Sequence, residues 1–362
     1  VAQRLLSVVG ARPNFMKLAP LARALAARAG AGVEHVVVHT GQHYDPEMSE
    51  TFFRDLAIRS PDENLDVGSG THAQQTATIM QRFENVCLAR RPDLVLVYGD
   101  VNSTVAAALV AAKLGIRVGH VEAGLRSRDW SMPEEINRVV TDRLSDLLFA
   151  PSRDAVENLR AEGVPAERIH LVGNIMIDSL LRSLPQAKAV DAPAAHGMVE
   201  GGYVLVTLHR PANVDHPATL AELLAALADL AREQPVLFPV HPRTRARIVD
   251  ARASGVLLLP PLPYIEMLSL VRSAGLVVTD SGGLQEETTF LGVPCITVRP
   301  NTERPITCTH GTNRLVAARR DAIVAAAGAA RASAVTARSI ERWDGHTAER
   351  IVAVVCDGQR YD

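Results

Sequence analysis

Short apolar runs alternate with longer amphipathic stretches along almost the whole chain. In the first half the runs fall at 5–9, 34–40, 94–98, 117–121, 147–150 and 169–172, and each predicts a strand. Between them apolar positions recur at helical spacing over 16–28, 74–90, 103–114, 134–145 and 153–162. A run such as Leu94-Val95-Leu96-Val97-Tyr98 is apolar on both faces, as a parallel strand covered by helices must be. The pattern therefore predicts an α/β fold with doubly wound parallel sheets. It restarts beyond residue 203, with strands at 204–207, 236–240, 256–259, 276–279 and 294–298 and helices over 220–232, 265–272, 284–291 and 321–330. The stretch 184–202 is rich in Ala, Pro and Gly, lacks clear amphipathic order and reads as a linker. Two Rossmann-like domains are thus expected, 1–183 and 203–344, with a last helix inside 345–362. Periodicity does not show whether that helix returns to the first domain.

Length and composition change this picture little. The 362 residues fit two domains, and a net charge of -2 with 22% charged residues gives neither a basic surplus for nucleic acid nor an acidic tract for disorder. No apolar run reaches the ~18–20 residues of a membrane helix. Val1-Ala2-Gln3-Arg4 leads straight into a strand without a signal-type core, so a cytoplasmic protein is expected. Cys87, Cys295, Cys308 and Cys356 are scattered, show no metal spacing and read as apolar residues or stray thiols of a reducing compartment.

Parallel sheets bind ligands beyond the carboxyl ends of their strands. Polar, glycine-bearing segments sit at those ends here: Gly10-Ala11-Arg12-Pro13, Gly41-Gln42-His43, Gly99-Asp100, Glu122-Ala123-Gly124, His209-Arg210 and Asp280-Ser281-Gly282-Gly283. Two such domains facing each other would enclose one cleft. The last segment opens a helix, with Ser281 a candidate N-cap. Its glycines and first-turn N–H groups suit a phosphate, and Glu286 or Glu287 could accept from a ribose diol. The absence of GxGxxG argues against NAD or FAD. Arg12 and Lys17 could point at a diphosphate or be solvated cations. Asp100 is either a cap for the helix after it or a functional acid. Glu122, leaving a buried strand beside glycine, needs no cap and is the stronger candidate. Glu134, Asn137 and Arg138 share a helical face, with simple acid–Arg138 pairing as the alternative. His209, directly after a buried strand and beside Arg210, suits phosphate binding or proton transfer. His39 and His43 lack companions for a metal site, and no GxSxG elbow supports a serine nucleophile.

Together these stretches resemble one family, the non-hydrolysing UDP-N-acetylglucosamine 2-epimerases. The similarity lies in GARPNFMKLAP (10–20), HTGQHYDPEMSETFF (39–53), YGDVNST (98–104), HVEAGLRS (120–127) and MPEEINR (132–138). It continues in VTLHRPANVD (206–215), SGGLQEE (281–287), TERP (302–305) and WDGHTAERI (343–351), in family order over nearly the full chain.

The resemblance implies a glycosyltransferase-B-like fold, a homodimer, a UDP-sugar substrate, no cofactor and no metal. The helix of 345–362 is expected to pack back on the first domain. The implied reaction inverts C2 of UDP-GlcNAc to give UDP-ManNAc. UDP leaves C1 as a base takes the C2 proton, giving 2-acetamidoglucal, and then returns after reprotonation from the other face. By resemblance Asp100, Glu122, Glu134 and His209 are the catalytic residues, with Asp100 and Glu134 the expected C2 acid/base pair. Arg12, Lys17, Arg138 and His209 would steady the diphosphate. Ser281, Gly282 and Gly283 would meet phosphate, Glu287 the ribose, and Met267 the uracil. Gln42, His43 and His241 would contact an activating second UDP-GlcNAc. Tyr44-Asp45, after that pair, also occurs in relatives acting on a diacetamido-uronic acid nucleotide. Alternatives left open are that substrate, a hydrolysing 2-epimerase releasing ManNAc and UDP, a retaining glycosyltransferase and a non-catalytic nucleotide-sugar sensor.

Overall fold

A computed structural model describes residues 3–28, 32–42, 59–240, 242–248, 255–332 and 339–361. They form two compact units, residues 1–179 with 341–362 and residues 180–340.

In the first unit the strands are β1 (Gln3–Val9), β2 (Val33–His39), β3 (Glu63–Asn64), β4 (Leu94–Tyr98), β5 (Arg117–Val121), β6 (Leu147–Ala150) and β7 (Ile169–Leu171). They make one sheet in the order β3-β2-β1-β4-β5-β6-β7. Every strand pair is parallel. All five residues of β4 are buried, which is why its apolar character runs unbroken. The chain order reverses between β1 and β4, so the turns after these two strands flank the switch point where such sheets leave a crevice.

The second unit repeats this plan with β8 (Val204–Thr207), β9 (Val236–Pro239), β10 (Val256–Leu259), β11 (Leu276–Thr279), β12 (Cys295–Val298) and β13 (Asn313–Val316). The order is β10-β9-β8-β11-β12-β13, again wholly parallel, with its switch between β8 and β11. Its core packs Val204, Val206, Phe238, Val278 and Ile296 against Leu223, Leu227 and Ile323 of the covering helices.

The stretch expected to be a linker is largely helical. Helix Ile175–Val190 runs on through residue 190, a short helix Ala192–Ala195 follows, and the unit boundary falls at 179/180 inside the longer helix. Leu180, Leu184 and Ala187 form an i, i+4, i+7 stripe that packs with Leu268 and Phe290, and this burial tolerates the interior Pro185.

The last helix, Thr347–Asp357, belongs to the first unit and packs on helix Arg12–Ala26. Its first N–H groups, those of Thr347 and Ala348, donate to the Asp178 carboxylate at 3.2 and 2.8 Å. Burial nevertheless pushes Asp178 up to about 6. Among the described residues no helix is long and apolar enough to cross a membrane.

Candidate active site

The first unit concentrates its chemistry at the β1/β4 switch and the neighbouring end of β5. Asn14 fixes the turn after β1, its Oδ1 accepting from Gly10 N and Ala11 N at 3.1 and 3.2 Å. Its Nδ2 donates to Tyr98 O at 2.9 Å, tying that turn to the end of β4. The helix that starts there carries Lys17, whose Nζ lies 2.5 Å from Glu122 Oε2 with both side chains buried. Glu122 has φ 75, a left-handed conformation that non-glycine residues hold at a cost of about 1 kcal/mol or more and that clusters at functional sites. Gly99 also has positive φ (63), and a Cβ there would stand 2.8 Å from Lys17 Nζ. Glycine therefore lets Lys17 reach across to the turn that presents Asp100.

Asp100 does not cap the following helix, whose N-cap residue is Val101 without a side-chain bond. Its Oδ2 instead accepts from Arg138 Nη2 at 2.6 Å. Asn137 donates to Asp100 O at 2.9 Å. Both come from helix Pro133–Leu144, so helical spacing brings the MPEEINR stretch to Asp100. The acid paired with Arg138 on that helix is Glu135, and Glu134 stands half-buried beside it. Lys17 and Arg138, expected at a diphosphate, are thus both engaged with carboxylates.

Deeper in the sheet His120 bridges the same elements, with Nδ1 2.6 Å from Asp142 Oδ1 and Nε2 2.7 Å from Gly99 O. Asp142 also accepts from Gly124 N at 3.0 Å and pairs with Arg126. Burial pushes Asp142 up, but His120 and Arg126 outweigh it and hold the carboxyl below its usual range. Gln42, buried, accepts at Oε1 from Ser103 N and Oγ at 3.1 and 2.7 Å, so its carbonyl is committed inside the unit. His43 and His241 lie outside the described residues, as does the side chain of Arg12, whose backbone opens the first helix.

In the second unit the turns after β8 and β11 meet on one carboxylate. Asp280 is wholly buried and accepts from His209 N at 3.0 Å, Arg210 N at 2.9 Å and Asn213 Nδ2 at 3.0 Å. Its Oδ1 is 2.8 Å from His209 Nδ1, and the imidazole side chain is 60% exposed. A carboxylate on Nδ1 fixes the ring and leaves Nε2 facing outward, the arrangement that suits an imidazole to proton transfer or to an anion.

Ser281 occupies the N-cap of helix Gly282–Leu291 but makes no side-chain cap bond. Gly282 is closely approached, a Cβ there lying 2.7 Å from Arg304 Nη1, whereas Gly283 faces open space. The first-turn N–H groups of such a helix have no partner within it and, with the helix dipole, favour an anion. Glu286 is withdrawn from ribose binding by Arg304, whose Nε lies 2.9 Å from Glu286 Oε1. Glu287 accepts from Tyr264 Oη at 3.0 Å, and burial pushes its pKa up to about 7. Met267 packs partly buried against the core around Leu259 and Leu270. No group of three or more His, Cys, Asp or Glu suited to a metal ion occurs among the described residues.

Several contributors escaped the sequence reading. Glu135 and Asp142 look like ordinary polar helix positions until burial is known. Asp280 carried a signal, a carboxylate directly after a buried strand, the same signal that singled out Asp100.

The family model described as UDP-N-acetylglucosamine 2-epimerase matches residues 24–356. The chain is 44% identical over 328 residues to a UDP-2,3-diacetamido-2,3-dideoxy-D-glucuronate 2-epimerase of Pseudomonas aeruginosa, covering 90% of this chain and 91% of that protein. It is 40% identical over 320 residues to a UDP-N-acetylglucosamine 2-epimerase of Methanococcus maripaludis, covering 85% and 86%. A crystal structure of the Methanocaldococcus jannaschii UDP-GlcNAc 2-epimerase with UDP-GlcNAc and UDP aligns with TM-score 0.88 at 39% identity, covering 98% of this chain and all of that one.

Proposed function

The chain belongs to the UDP-N-acetylglucosamine 2-epimerase family, with its glycosyltransferase-B-like fold, and we propose that it interconverts UDP-GlcNAc and UDP-ManNAc without net hydrolysis. The observation that carries this reading is the set of carboxylates at the β4 and β5 ends, each facing a cation: Asp100 on Arg138 and Glu122 on Lys17.

The C2 proton of the sugar is weakly acidic because no carbonyl adjoins C2. Its removal must therefore be coupled to loss of UDP from C1, and stabilising charge on the departing diphosphate lowers that barrier. His209, oriented by Asp280, with the helix start at Ser281, Gly282 and Gly283 and with Arg12, supplies that stabilisation. Glu287 receives the ribose, and the segment 260–267 flanks the uracil. Inversion needs proton transfer on two faces of C2, hence two groups in different protonation states. Asp100 and Glu134 take these roles, and Glu122, held by Lys17, positions the sugar. Re-addition of UDP to the glucal intermediate completes the exchange, so no atom is gained or lost overall.

A second substrate reading rests on the Pseudomonas relative: UDP-2,3-diacetamido-2,3-dideoxy-D-glucuronate fits the same chemistry at C2. We further propose a cytoplasmic homodimer supplying precursors for surface polysaccharide, with Gln42, His43 and His241 near an activating nucleotide.

The test is deuterium wash-in at C2, run in heavy water with each UDP-sugar, with and without a catalytic trace of UDP-GlcNAc. Wild-type protein should place deuterium at C2 and equilibrate the epimers. Asp100→Asn should lose about 10³-fold in rate, the scale of a proton-transfer group. Stoichiometric release of UDP and free sugar would instead mark a hydrolase, and absence of deuterium with both substrates would sink the epimerase reading.

A further inference from the structure

Arg138 serves two carboxylates, and only one has a place in the chemistry above. Its Nη2 donates to Asp100 Oδ2 at 2.6 Å while its Nη1 pairs with Glu135. Glu135 is 1% exposed. Its Oε2 also accepts from Ser127 N and Ser127 Oγ, both at 2.9 Å, and its Oε1 accepts from Arg128 N at 2.8 Å. A carboxylate offers about four acceptor positions, and four donors meet this one. Three of them come from the turn after β5, where Arg128 holds φ 61, and the fourth from the helix itself.

A guanidinium is planar, so a fixed carboxylate on one edge sets where its other N–H groups point. We propose that Glu135 is a positioning residue for the C2 chemistry. It fixes the plane of Arg138 and, through Arg138, the carboxylate of Asp100. At the same time it locks the 127–128 turn ahead of the helix start that presents Glu134. A buried carboxylate with four donors is rigid, whereas Asp100, with a quarter of its side chain exposed, is open to a substrate. The pair thus divides the arginine's role, one acid holding it and the other being held by it. This inference rests on the epimerase reading given above.

Glu135→Gln retains an acceptor for the turn and removes the charge that grips Arg138. In the wash-in assay kcat should fall about 10- to 100-fold, the loss expected from a misplaced reacting group, while KM changes less than about 3-fold. A residue that merely supports the fold would lower the thermal midpoint and leave kcat per folded molecule untouched. An unchanged kcat, whatever happens to KM or stability, overturns the proposal. Ser127→Ala removes one bond to Oε2 without touching the Arg138 pair, and about a 2- to 5-fold loss in kcat at constant KM is expected. Should Glu135→Gln not fold, wild-type kcat in Ser127→Ala overturns the proposal equally. The two levels separate cleanly. Wild-type protein that incorporates no deuterium sinks the reaction itself, whereas normal wild-type exchange with an unaffected Glu135→Gln sinks only the positioning role.

Discussion

Asp280 and Glu287 lie on one strand–turn–helix, are both buried, and shift in acidity in opposite directions. Burial pushes Asp280 upward, but His209, the Arg210 N–H and Asn213 outweigh it and hold the carboxyl below the usual range. Burial pushes Glu287 upward too. There only the Tyr264 hydroxyl opposes it, the charge of Glu286 adds to the rise, and the value reaches about 7. Depth is therefore not what decides the charge of a buried acid. The number and charge of its donors do. Asp280 is built as a permanent anion that orients a histidine, and Glu287 as an acid that changes charge near neutrality.

Removing the anion is the harshest way to break this contrast. Asp280→Ala leaves the His209 and Arg210 N–H groups without their acceptor, while Asn213 keeps Val298 O, and urea unfolding should show a loss of about 3 kcal/mol. Exchange at C2 should fall on the order of 100-fold in the folded fraction, because the His209 ring loses its tautomer and its aim.

The next effect is the pH dependence of Glu287. Its value in the folded protein, about 7, lies above the ordinary 4.5, so the stability it lends is whole below pH 4.5 and is lost as pH rises through about 7. Glu287→Gln should therefore gain on wild type across that window by roughly 2–3 kcal/mol. Unfolding titrations from pH 4 to pH 8 measure the gap, and a constant gap would remove the contrast with Asp280. Asp280 runs the other way: its stabilisation is present above the ordinary carboxylate range and fades as pH falls through its depressed value. The smallest effect belongs to Tyr264→Phe. It deletes the one bond opposing the rise, so the Glu287 midpoint should move above about 7 while stability drops about 1 kcal/mol. Proton NMR of the carboxyl-bearing side chain across the same range reads the midpoint.

The sequence disclosed most of the scaffold because buried parallel strands advertise themselves. β4, β5, β6, β8, β10 and β11 lie where the apolar pattern predicted them. The strands it concealed, Glu63–Asn64 and Asn313–Val316, are sheet edges, half solvated and polar, with no run to see. Helix Ile175–Val190 was hidden by Pro185 and a composition that mimics a linker, although its Leu180–Leu184–Ala187 stripe was present. Candidate site residues were legible where a carboxylate or histidine ends a buried strand, as with Asp100, Glu122 and His209. Their partners were not. Nothing in the spacing distinguishes Glu135 from Glu134, and only packing assigns one to Arg138 and leaves the other half-buried.

The helix Thr347–Asp357, seated on Arg12–Ala26 and capped by Asp178, has a consequence for how the protein is made. The unit that begins first on the ribosome is finished last. Its opening helix waits through some three hundred residues for its neighbour, while residues 180–340 form a unit continuous in the chain. Residues 180–340 can fold before the first unit has all of its residues. Whatever shields the early apolar strands during that interval, translation speed included, then bears on the yield of native protein.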